Sequence, residues 1–268
     1  MARVETGVNK VDQGRGVAYG YGGQESPAYR LGERPVSPFI DTVYGRLNSL
    51  APGSIVIDLG GGAGRFPAQA PQDRKWRVLG IDHDPDAINQ AHRVIRPDDR
   101  AIVGDITRLA QLSLPDGMDT GDISAVVSHR VLHAVPLSLR RPIIEGGAGM
   151  LPPGGEFYAS VASIEDWKAG QVNAEPGVVY DCAPIMFGAF DIPRRDPFAM
   201  SFFDDTAMAT LIAGSGLVIQ GASTFTEPSG YDHITEPNTY RGYLLKVDKS
   251  TAESTARGSV VWTLNGNH

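Results

Sequence analysis

The chain has 268 residues, 41% hydrophobic and 21% charged, with a formal net charge of −7. That suits one large globular domain, alone or with a small cap. The acidic balance excludes the basic stripe by which proteins usually hold nucleic acid. The single cysteine, Cys182, permits no internal disulfide and reads as a small buried apolar residue. No apolar run approaches the roughly 18 residues needed to span a bilayer, and the polar N-terminus has no signal-peptide core. The expected protein is soluble and cytoplasmic.

Residues 1–34 are polar and rich in Gly and Tyr, and read as a flexible arm or a lid. Over 35–50, Phe39, Ile40, Val43, Tyr44 and Leu47 recur at helical spacing. "SIVIDL" then reads as a strand buried on both faces, and "WRVLGID" as a second. Asp84 is placed to cap a helix that opens on Pro85 and turns Ile88, Ala91 and Ile95 to one side. "RAIVGD", "DISAVVSH" and "GGEFYASV" are further strands, and "LSLRRPIIEGGAGML", broken by Pro142 and glycines, is a poor helix in a crossover position. Strand and helix alternating in this way predict a parallel sheet with helices on both faces.

The alternation stops after residue 163, and about forty residues dense in Pro and aromatics show no period. They read as a cap inserted at 163–203, within a domain of 35–247. Of its aromatic and methionine side chains, Trp167, Tyr180, Met186, Phe187, Phe190, Phe198 and Phe202, half are expected to form the insertion's own core and half to wall a substrate. Asp204 or Asp205 starts a helix, and "LVIQGASTF" and "YRGYLLKV" form a terminal strand pair whose joining loop holds His233. Residues 248–268 are a tail or one more edge strand.

The densest chemical signal is "SIVIDLGGGAGRF" at 54–66. A glycine turn after a buried strand lets a ligand approach the backbone closely. A dinucleotide fingerprint, G-x-G-x-x-G, fails here: counted from Gly60 its last place falls on Arg65, and from Gly62 on Pro67. No Gly-Lys-Ser/Thr follows, so a P-loop fails too. The pattern present is Gly60, Gly62, Gly64.

"VIDLGGGAGRF" resembles motif I of the Rossmann-like (class I) S-adenosylmethionine-dependent methyltransferases. In that family an acidic residue sits two before the first glycine, where this chain has Asp58. The resemblance implies that Asp82, in "VLGIDHDPDAI", holds the ribose hydroxyls, and that Asp105 in "VGDI" lies beside the adenine with Ile106 as its apolar contact. "VVSHRVLHAV" matches the stretch near the methionine part, "LPPGGEFYAS" the turn into the fifth strand, and "SFFDDTAMATLIAGSGLVI" the late helix-strand unit. His83 and Ser128 join the cofactor-binding set from their places beside these motifs. The implied fold is an α/β doubly wound, seven-stranded, mostly parallel sheet with helices on both faces and an antiparallel last strand.

The cofactor is then S-adenosyl-L-methionine and its product S-adenosyl-L-homocysteine. Asp82 can accept both ribose hydroxyls, and with Asp84 already capping a helix it is freer to do so. Asp58 accepts hydrogen bonds either from turn amides or from the cofactor's ammonium. His129, His133 and His233 are the candidate catalytic bases, with packing behind the site the alternative for His133 and a plain exposed loop position for His233. Tyr19, Tyr21 and Tyr29 could close over the cofactor. No metal site is expected, because "HDPD" at 83–86 is explained by helix capping. The expected partner is a small-molecule substrate, with no nucleic acid and no membrane, and a homodimer is the candidate assembly. The expected activity is methyl transfer in specialised metabolism. The alternative is a family member that catalyses a non-methylating reaction such as cyclisation.

Overall fold

The computed structural model describes residues 36–182, 199–228 and 236–248. Tyr19, Tyr21, Tyr29, His233, Met186, Phe187, Phe190 and Phe198 lie outside them, as do the arm at 1–34 and most of the tail.

The main sheet runs β1 (Ile55–Leu59), β2 (Arg77–Asp82), β3 (Arg100–Val103), β4 (Ile123–His129), β5 (Glu156–Ala162), β8 (Leu217–Glu227) and β9 (Asn238–Val247). Its spatial order is β3-β2-β1-β4-β5-β9-β8. The first five strands are parallel, and β9 is antiparallel to both β5 and β8. The order reverses between β1 and β4, so a ligand crevice is expected outside their carboxyl ends. Because β8 runs with β5, Glu227 ends at that same edge as Leu59, Asp82 and His129.

Side-chain alternation divides the core. Ile55, Ile57, Leu59, Val126 and Phe157 face one cluster with Ile143 and Ile144 of α4 (Leu137–Gly149) and Met208 of α6 (Asp205–Ile212). Val56, Ala125, Val127 and Tyr158 face the other. There α1 (Pro38–Leu47) buries Phe39, Ile40, Val43, Tyr44 and Leu47, the five residues that the spacing picks out. α2 (Arg65–Gln69) follows the glycine turn, and α3 (Pro85–Ala91) is capped by Asp84 with Pro85 at its first position.

α4 is a continuous helix of 13 residues, where the sequence reads as a poor one. Tertiary packing overrides propensity. Gly147 lies so close to the sheet that a Cβ there would come within 2.5 Å of the Phe157 ring, so the glycines that weaken the helix also let it approach. The insertion also holds more order than its composition suggests: α5 (Trp167–Val172) and a two-stranded sheet of β6 (Val179–Asp181) and β7 (Ala199–Ser201). Tyr180, Cys182, Met200 and Phe202 form its own small core, with Trp167 packed against it. No helix among the described residues is long and apolar enough to cross a membrane.

Gly147→Ala should fold but lose about 1–3 kcal/mol through overpacking against Phe157. A urea unfolding curve matching the parent protein would refute this account of the α4 glycines.

Candidate functional site

The turn after β1 hangs from β2. Gly60 and Gly61 donate N–H to the Ile81 carbonyl at 2.8 and 3.2 Å, and Gly62 donates to Asp82 Oδ2 at 2.9 Å. Gly60, Gly62 and Gly64 have φ of 68°, 53° and 79°, a region that L side chains rarely adopt. The three glycines have different surroundings. A Cβ on Gly60 would strike Val131, and one on Gly64 would press on Ala91 and Ile95 beside α3, whereas Gly62 faces open space. Only Gly62 therefore leaves room for a ligand on its Cα side. Gly60 and Gly64 let protein pack.

Asp58 lies beneath this turn, 3% exposed, and its Oδ2 has no hydrogen-bond partner. Burial, reinforced by the charge of Asp82, pushes its carboxyl up to about 8. Asp82 is less free than its sequence suggests. Its Oδ2 accepts from Gly62, its Oδ1 accepts from the Asp84 N–H at 3.0 Å, and His83 Nδ1 lies 3.2 Å away. A carboxylate has about four lone-pair sites, so each oxygen keeps capacity for a ligand. Asp105 caps the 3-10 turn Ile106–Gln111, accepting from the Thr107 N–H and hydroxyl at 2.9 and 2.6 Å. That hydroxyl bond holds its carboxyl below the usual range, and its side chain is 54% exposed. Ile106 packs on the main core.

At the end of β4, Ser128 is buried and its Oγ is unpartnered. His129 points to the other face, stacked on Phe39 of α1 with centroids 6.0 Å apart. Its Nδ1 lies 2.7 Å from Ser160 Oγ on β5, which also accepts the Arg130 N–H at 3.1 Å. Burial and the nearby Arg130 charge hold the His129 ring well below the usual imidazole range. His133, 3% exposed and with Nδ1 unpartnered, is pushed down to about 3 by burial and three cations, Arg130 first. Both imidazoles are neutral at physiological pH.

No local pattern singles out Arg130. It sits at φ 62°, and its guanidinium reaches across the sheet edge to Glu227 Oε2 at 2.9 Å, passing 5.5 Å from the Tyr240 ring centroid. Such strained residues cluster at functional sites. No group of three or more His, Cys, Asp or Glu able to hold a metal occurs among the described residues.

Residues 56–155 match the family model for a methyltransferase domain. The sheet of the described residues has the Rossmann-like fold of solved S-adenosylmethionine-dependent methyltransferases. No curated protein matches the chain by sequence. Among solved structures, an S-adenosylmethionine-dependent methyltransferase of Methanosarcina mazei is similar at 15% identity and a TM-score of 0.55, over 80% of this chain and 98% of that one. The magnesium protoporphyrin IX methyltransferase of Synechocystis, solved with bound S-adenosylhomocysteine, is similar at 16% identity and a TM-score of 0.52, over 77% and 80%. The 1,6-didemethyltoxoflavin N1-methyltransferase of Burkholderia thailandensis, solved with that substrate and S-adenosylhomocysteine, gives 16% and 0.52, over 80% of each chain. At these identities the likeness is one of fold.

The open space at Gly62 yields a test. Gly62→Val should cost about 1–2 kcal/mol of stability from left-handed strain yet remain folded. It should lose S-adenosylhomocysteine binding in a calorimetric titration, and unchanged affinity would move the cofactor away from this turn.

Proposed function

We propose that the chain transfers a methyl group from S-adenosylmethionine to a small-molecule acceptor and releases S-adenosylhomocysteine. The observation that carries this reading is the unpartnered, buried Asp58 oxygen beneath a glycine turn that opens at Gly62. Buried polar atoms are almost always satisfied, so an orphaned carboxylate oxygen at a ligand edge calls for a donor from outside the chain. The residues fit the cofactor. Asp58 would take its ammonium, Asp82 would accept its ribose hydroxyls beside the two N–H groups it already holds, and Ile106 with Asp105 would flank its adenine.

When bound, the sulfonium supplies an electrophilic methyl group. The chain's own residues then bind, orient and keep water away. Ser160 Oγ accepts the Arg130 N–H and pairs with His129 Nδ1 at 2.7 Å, which holds the neutral ring in place at the end of β4. The solved methyltransferases named for 1,6-didemethyltoxoflavin and magnesium protoporphyrin IX support a small-molecule acceptor, and the insertion at 163–203 supports a dedicated one, as in specialised metabolism.

Binding should move a proton. With its carboxyl near 8, Asp58 is mostly protonated at pH 7, and an ammonium beside it favours the charged form. Cofactor binding at pH 7 should therefore release about one proton per site. Calorimetry in two buffers of different ionisation enthalpy measures this. Asp58→Asn should abolish the release and weaken binding. Tight binding by the parent protein with no proton released would remove Asp58 from the ammonium site.

A further inference from the structure

The carboxyl edge carries a second group of unsatisfied atoms, on β8 and in the segment after β4. Glu227 is 7% exposed, and while its Oε2 pairs with Arg130, its Oε1 has no hydrogen-bond partner. His133 Nδ1 is likewise orphaned, and its ring lies 6.1 Å from that of Tyr240. Tyr240 stacks on Phe225 at 5.5 Å, and Phe225 on Phe39 at 5.7 Å, so a row of rings lines this corner from β9 to α1.

Arg130 is matched by Glu227, and buried Lys168 by Asp166 at 2.8 Å. The two histidines are neutral. The charge of Glu227 is already taken by Arg130, so a buried cationic ligand would find no free counter-charge on it. What the corner lacks is a hydrogen-bond donor for Glu227.

Resting on the methyltransferase reading above, we propose that Glu227, held by Arg130, receives an N–H or O–H of the methyl acceptor against the Tyr240 and Phe225 rings. The acceptor is therefore a non-cationic aromatic or heteroaromatic molecule that carries a donor group. The left-handed backbone of Arg130 follows from this role, because it turns the side chain laterally from β4 toward the far edge strand.

The test uses the full chain saturated with S-adenosylhomocysteine. Binding of a fragment panel is read by ligand-observed NMR: neutral phenols and N–H heteroaromatics, the same rings without a donor, aliphatic amines, and aromatic carboxylates. Neutral donor-bearing rings should bind, and Glu227→Gln should weaken them about tenfold or more, as expected for a hydrogen bond to a charged group. Affinity for S-adenosylhomocysteine should stay within about twofold of the parent protein, because Glu227 belongs to the acceptor corner. If Glu227→Gln does not fold, Glu227→Asp, which keeps the charge and shortens its reach, should show the same loss. Three outcomes overturn the proposal: no donor-bearing ring binds, the variants bind them as the parent does, or the charged fragments bind best. Failure of S-adenosylhomocysteine to bind the parent chain would instead defeat the methyltransferase reading itself.

Discussion

The site depends on one hydrogen bond, from the Gly62 N–H to the Asp82 carboxylate at 2.9 Å. It ties the tip of a glycine turn, an entropically costly segment to order, to the end of a neighbouring rigid strand. The other oxygen of Asp82 holds the Asp84 N–H, and Asp84 in turn caps α3. Ala91 and Ile95 then pack where a Gly64 side chain would stand. The carboxylate thus fixes both the turn and the helix that backs it.

The fold was legible wherever the signal was local and periodic. Buried runs gave β1, β2 and β4, the 3.6-residue spacing gave α1, and Asp84-Pro85 gave the start of α3. α4 was undervalued because its glycines count against it locally, while their benefit, contact with Phe157 and Leu109, lies on other elements. The short elements of the insertion were missed because three to six residues are too few to show a period. In the site, the acidic residues at strand ends stood out, but their division of labour did not. The structure gives Asp82 two backbone donors and makes Asp105 a cap held by Thr107. Arg130 and Glu227 are 97 residues apart, and no local pattern couples them.

The two ends of the edge differ in charge, and that difference organises the chemistry. At β1 and β2, burial and the charge of Asp82 hold the Asp58 carboxyl up, so a cation placed there relieves it. At β4 and β8, Arg130 and Glu227 cancel, and His129 and His133 stay uncharged. A cationic donor and a neutral acceptor would each meet matching surroundings. Methyl transfer moves positive charge off the sulfur toward the acceptor, so a fixed negative charge beside the sulfonium alone would stabilise the reactant more than the transition state. In the proposed function, keeping the carboxylates for the ammonium and ribose, and Arg130 neutralised by Glu227, would avoid that penalty. Rate then rests on alignment and the exclusion of water, which a row of stacked rings and an arginine locked across the sheet edge are suited to provide.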